Sequence, residues 1–343
     1  MKPILLVAAA AAAFVTLGVP AVEAGRDLDA IKARGVLRCG VQTGTPGFAV
    51  PDAQGRWQGF NVDLCRAMAI TILGDPSKVE FIPTTTQSRF PALTNGEVDM
   101  LINNATQTLT RDTGVNRFNF PAIKFYDGQA LLVPRRLNIT QGRQLNGATV
   151  CVQPGTTTEL NITDFFRQNN IRFTPLVIDS VDELRRAYEA GRCDVFTNDY
   201  AALAALRTQL ARPADHVILP DRLSKEPLGP VIRQGDEELT NIVAWTVWAL
   251  VDAEENGITQ ANVDRIAASS TNPVVRRLLG VEGNMGQALG ASSPTYVQQI
   301  VKTFGNYGEI YNRHLGPQTP LGLERGMNDL WTRGGLMYAP PAR

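Results

Sequence analysis

Thr156, Thr157 and Thr158 stand in a row after the apolar run ATVCVQ and a Pro-Gly turn, in the stretch Ala148 to Leu160. A strand ending in such a turn ahead of a helix leaves hydroxyls and free backbone N–H groups at the helix mouth, where an anion can sit. A second polar stretch, NNATQTLTRD from Asn103 to Asp112, offers Thr106, Thr108 and Thr110 beside Arg111. The guanidinium fork matches a carboxylate with two parallel hydrogen bonds, and hydroxyls complete the anion's shell. Alone, the segment is equally a polar loop with a surface Arg. In TNDYAAL, Asp199 follows a buried-strand pattern, where a carboxylate either receives an ammonium or caps a helix. Together these positions form the minimal recognition set for an α-amino acid, whose two charges both need partners once buried.

Catalysis finds less support. A Thr nucleophile needs an activating base, and neither His216 nor His314 lies near such a motif; both read as structural or surface residues. There is no P-loop, no G-x-G-x-x-G and no G-x-S-x-G. Cys39, Cys65, Cys151 and Cys193 contain no C-x-x-C pair, so neither a metal nor another cofactor is expected. The sequons at Asn138 and Asn161 mark surface loops.

The elements that must position these groups are legible as an alternation. VLRCGVQ reads as a strand, GFNVDLCRAMAITIL as a helix, KVEFIPTTT as a strand, RFPALTNG as a short helix stopped by Gly96, and VDMLINN as a buried strand. That alternation predicts α/β architecture with parallel sheets. The pattern recurs: GATVCVQPGTTT echoes VLRCGVQTGT, and YEAGRCDVF echoes LTNGEVDML, with Ser180 and Glu183 as a capping-box pair ahead of the second helix. Two lobes of one design follow, each binding at the C-terminal ends of its strands. Phe125 to Pro134 and Lys225 to Arg233 read as extended crossovers between them, a two-strand hinge. The expected division is a leader over 1–24, the first part of lobe one over 25–127, lobe two over 128–227, and a return to lobe one over 228–343. The return opens on an amphipathic stripe from Leu239 to Leu250, and a helical extension begins near Ile258.

The 343 residues suffice for two such lobes, and 33 basic against 33 acidic side chains give no pull toward nucleic acid or an anionic membrane. Lys2, the apolar run Ile4 to Gly18, and small residues before a cleavage point after Ala24 form an export signal. No other segment is apolar enough to span a bilayer, so a soluble, exported chain is expected. In an oxidising compartment four cysteines allow three pairings, of which the lobe assignment favours Cys39 with Cys65 and Cys151 with Cys193.

The phrases GVLRCGV, GFNVDLCRA, TLTRDTGV, NFPAIKFYDGQ, CVQPGTTTEL, GRCDVFTND, SKEPLGPVIRQGD and LWTRGGLMYAPP run through nearly the whole mature chain. In these it resembles the extracellular solute-binding proteins of family 3, the amino-acid-binding components of ABC importers. The similarity is greatest to those serving general L-amino-acid or glutamate, glutamine, aspartate and asparagine uptake. The resemblance implies the type II periplasmic-binding fold, a free L-amino acid as ligand, a membrane permease as partner and a periplasmic location. It implies that Arg111 holds the α-carboxylate with help from Thr106, that Asn104 lies near the amine and that Asp199 receives the ammonium. Thr156 and Thr157 would close over the ligand, and Arg89 would face a side-chain carboxylate. Gln42 stands where dedicated acid binders carry another cation, so with Gln153 the pocket should accept acids and amides. An enzyme on the same scaffold, a cyclohexadienyl or arogenate-type dehydratase, is the alternative.

Overall fold

The computed structural model describes residues 26–115 and 117–343; the leader and its cleavage point lie outside the described residues. Lobe one opens with helix α1 (Arg26–Arg34), strand β1 (Leu37–Gln42), a small hairpin of β2 (Val50–Pro51) and β3 (Trp57–Gln58), and helix α2 (Phe60–Leu73). There follow β4 (Val79–Thr84), α3 (Arg89–Thr94), β5 (Met100–Leu101), α4 (Leu109–Thr113), β6 (Phe118–Asn119) and β7 (Phe125–Asp127). Lobe two contains β8 (Gln129–Pro134), β9 (Ala148–Val152), α5 (Thr157–Gln168), β10 (Phe173–Val177), α6 (Val181–Glu189), β11 (Val195–Asp199), α7 (Tyr200–Thr208) and β12 (His216–Ile218). The chain returns through β13 (Glu226–Leu228) and β14 (Ile232–Arg233) to the long helix α8 (Glu237–Glu255). The extension adds α9 (Val263–Ser269), α10 (Pro273–Leu278), α11 (Met285–Ala288), α12 (Tyr296–Phe304) and α13 (Tyr307–His314).

Lobe one is built on a parallel sheet in the order β4-β1-β5, and lobe two on a five-stranded sheet in the order β10-β9-β11-β8-β12. In the second sheet β9, β10 and β11 run parallel, while β8 and β12 are antiparallel. The two crossovers meet as an antiparallel ribbon, with Asp127 opposite Glu226 and Phe125 opposite Leu228. Both disulfides lie within a lobe, Cys39–Cys65 tying β1 to α2 and Cys151–Cys193 tying β9 to the segment before β11. No helix among the described residues is long and apolar enough to cross a membrane.

The repeat has a physical basis. Asp99 in lobe one accepts the N–H of Arg38 at 2.7 Å and donates its own N–H to the Arg38 carbonyl at 2.9 Å. Asp194 does the same to Thr149 in lobe two, at 2.9 and 2.8 Å. Each Asp brackets the first residues of its central strand and sets the register of the neighbouring strand.

Helix α2 is buried on almost every side, as an apolar helix without a polar face must be. It starts at Gly59, φ 135°, where a Cβ would stand 2.2 Å from the Phe48 carbonyl oxygen. Helix α8 extends beyond the apolar stripe because Asp236 caps it, accepting from Leu239 N at 2.8 Å. The same carboxylate also accepts from Leu28 N at 2.9 Å and so ties α1 to α8. The extension packs on α2 and α8 and reaches the hinge. Asn328 donates to the Tyr126 carbonyl at 2.9 Å and accepts from Tyr126 N, acting as a neighbouring strand to β7.

Several local expectations change. VDMLINN forms only a two-residue strand, because Asn103 and Asn104 already turn toward the cleft. Ser180 caps α6 by accepting from Glu183 N at 3.3 Å, but the reciprocal half of the capping box is not formed. Asn161 lies on α5 and not in a loop.

Candidate ligand-binding site

Both sheets aim their strand ends at one gap. From lobe one come Gln42 at the end of β1, Thr45, Thr86 and Arg89 beyond β4, and Asn104 and Thr106 beyond β5. From lobe two come Gln153 beyond β9, Thr156 to Thr158 at the start of α5, and Asn198 and Asp199 at the end of β11. The cavity between them is small, about 20 Å³, little more than the room for one water. Thr86 closes its rim by donating to the Asp179 carboxylate of lobe two at 2.7 Å.

Eight of the nine residues expected at the site line this cavity; Arg111 does not. The Arg111 guanidinium donates to the Thr106 carbonyl at 2.6 Å and lies over the Phe90 ring, 4.9 Å from its centroid. The cation that lines the cavity is Arg89, which covers the same ring at 5.0 Å. Arg89 is buried, and its Nε has no hydrogen-bond partner among the described residues. Burial lowers its pKa to about 9, the like charge of Arg111 adds to the shift, and Asp199 and Asp179 oppose it.

Asp199 occupies the N-cap position of α7 but makes no capping bond, and it lines the cavity. Burial raises its pKa well above the usual carboxylate range, Asp127 and Glu226 push further, and Arg89 and Arg111 only partly offset them. Behind it lie two more buried charges that sequence reading missed. Asp127 accepts from Gly128 N and Ala201 N, yet burial raises its pKa to about 7. Lys124, fully buried over the Phe60 ring, has its pKa lowered to about 7 by burial, against the opposing pull of Asp199 and Asp127.

The threonines divide their work. The Thr156 hydroxyl caps α5, donating to the Gln153 carbonyl at 2.8 Å and accepting from Glu159 N at 3.1 Å. Thr106 and Thr157 both donate their hydroxyl protons to Glu226, a residue the sequence reading did not single out. Each hydroxyl has one proton, so toward the cavity these two oxygens present lone pairs. Gln153 donates to the Asp179 carbonyl at 2.7 Å, and Asn104 accepts from Asn61 at 3.2 Å. His216 bonds Tyr188 and His314 bonds Asp63, both away from the cavity, as structural residues do. Among the described residues no cluster of three His, Cys, Asp or Glu side chains could hold a metal.

Two lobes built on sheets with parallel strands, a ribbon hinge and an interlobe cavity with Arg89 on one wall and Asp199 on the other define a type II periplasmic solute-binding protein. The model of the bacterial extracellular solute-binding proteins, family 3, matches residues 37–264, and the chain belongs to that family. It is 48% identical over 345 residues to the general L-amino acid-binding periplasmic protein AapJ of Rhizobium johnstonii, covering 100% of both chains. With the glutamate/glutamine/aspartate/asparagine-binding protein BztA of Rhodobacter capsulatus it shares 49% identity over 92% of this chain and 93% of that one. A periplasmic binding protein from Brucella ovis, solved with glutathione bound, superposes with a TM-score of 0.89 at 48% identity, over 92% of this chain and 99% of the other. The role of the chain is solute binding for an ABC importer.

Proposed function

We propose that the protein binds one free L-amino acid of the glutamate, glutamine, aspartate or asparagine type between its lobes, in the periplasm, and releases it unchanged to a membrane permease. One observation carries the reading: a buried guanidinium with an unpartnered Nε, from Arg89, and an uncapped carboxylate, from Asp199, line one cavity from opposite lobes. The zwitterion's ammonium meets Asp199 and the lone pairs of Thr106 and Thr157. Its carboxylate or carboxylates meet Arg89, with Arg111 adding positive charge behind. A cavity of about 20 Å³ cannot admit an amino acid while shut, so entry requires rotation about the ribbon near residues 127 and 228. Gln42 and Gln153, which donate as well as accept, support tolerance of both acids and amides. The names of AapJ and BztA give amino acids as their ligands. The export signal over residues 1–24 would deliver the chain to the compartment in which its disulfides persist.

Isothermal calorimetry on the mature, unliganded chain tests this with the twenty amino acids and, prompted by the Brucella relative, glutathione. The expected result is micromolar or tighter binding of L-glutamate or L-glutamine, about −8 kcal/mol or better. Asp199→Asn should weaken binding at least about a hundredfold, because it removes the partner of a buried ammonium. Absence of heat with all twenty, or an Asp199→Asn variant of native affinity, would overturn the reading.

A further inference from the structure

The carboxylate of Glu226 lies in hinge strand β13, is buried, and accepts four hydrogen bonds. Thr106 of lobe one and Thr157 of lobe two donate to one of its oxygens, the second at 2.9 Å. Asn161 of lobe two, at 3.0 Å, and Ser224 of the hinge donate to the other. The two threonine hydroxyl oxygens are only 3.4 Å apart, although 51 residues separate them in sequence and they belong to different lobes. No rotation that parts the lobes can keep both on one oxygen. A buried carboxylate that loses donors must be re-solvated or go unsatisfied, which is costly for a charge.

We propose that Glu226 is the latch of the closed form: a single hinge carboxylate that fastens the ligand-facing hydroxyls of both lobes only when the lobes meet. The latch deepens the amino-acid-binding reading and rests on it for its purpose, but its geometry is independent of which solute is held. Glu226 does not itself line the cavity, so it acts as a positioning residue through Thr106 and Thr157. The sequon residue Asn161 thereby also has a use, anchoring α5 to the hinge when the lobes close.

The test separates the latch from a merely structural role. Spin labels on exposed Ala53 of lobe one and exposed Glu183 of lobe two report the closed fraction of the full mature chain by pulsed resonance, with and without L-glutamate. Glu226→Gln should lower the ratio of closed to open chains about tenfold and speed L-glutamate dissociation by a similar factor, the loss of about one charge-assisted hydrogen bond. Asn161→Ala should speed dissociation a few-fold in the native background and have little further effect in Glu226→Gln. Equal closed fractions in the native and Glu226→Gln chains would overturn the latch whatever the ligand. So would a Glu226→Gln variant that melts lower without ligand by the same margin as with it, because the contact would then also be present in the open form. If the native chain binds no amino acid while Glu226→Gln still opens it, the latch stands and the ligand assignment falls.

Discussion

Asp127 and Asp199 govern how the site responds to pH, because both are carboxylates held away from water. The Asp199 pKa is raised by burial, so the unliganded chain keeps a proton there above the pH at which an exposed Asp loses it. An incoming ammonium favours the ionised form, so binding expels that proton and affinity should rise with pH until Asp199 ionises unaided. Calorimetry from pH 4 to 8 in buffers of different ionisation enthalpy should show proton release on binding that fades toward the alkaline end, and Asp199→Asn should abolish it. For Asp127 the pKa rises from 3.8 to about 7, chiefly through burial. A carboxylate with a raised folded-state pKa favours the fold fully below about pH 4 and loses that contribution as pH climbs through 7. Asp127→Asn should therefore flatten the fall in melting temperature of the unliganded chain between pH 4 and 7, measured by scanning calorimetry. The sequence displayed Asp127 beside Gly128 and could not show its charge environment, since burial is created by residues distant in the chain.

At the scale of elements, the C-terminal extension braces lobe one and its hinge. Glu254 near the end of α8 accepts from Arg325 at 3.1 and 3.0 Å and from Arg333 at 3.1 Å, and it is nearly buried. Replacing it with Ala leaves the largely buried Arg325 with only the long 3.8 Å pairing to Asp329, and should destabilise the protein by about 3 kcal/mol, read from urea unfolding. The loss should appear as lower stability and not as weaker amino-acid binding, because Glu254 is not among the residues lining the cavity. Helices of this region were readable as helices; their purpose was not. Side chains such as Asn328, which bonds hinge residue Tyr126 across 202 positions, leave no local pattern. The capping box expected at Ser180 and Glu183 shows the converse, since spacing alone could not reveal that only half of it forms.

For the whole molecule, each disulfide fastens one lobe and neither crosses the cleft. Their loops of 26 and 42 residues predict a stabilisation of about 4 kcal/mol each in the chain-entropy treatment. Serine at Cys151 and Cys193 should lower the unfolding free energy by that order while shifting the amino-acid Kd less than about threefold, since opening and closing do not strain the bond. A large change in affinity would mean that the bridge shapes the site itself.

By itself the sequence determined the two-lobed α/β plan and the doubled strand-helix unit, and it favoured one of three cysteine pairings; the family resemblance pointed to eight of the side chains that line one cavity. These leave local traces: periodic burial, turn residues at fixed offsets, and polar groups just past strand ends. Tertiary structure decided that Arg89 lines the cavity while Arg111 stands behind it on the face of Phe90. It also decided that Glu226 gathers hydroxyls from both lobes. Which cation reaches a cavity, and which carboxylate is shut away from water, depend on the packing of segments that are not neighbours in the chain, and electrostatic energies follow that geometry and not the order of the chain.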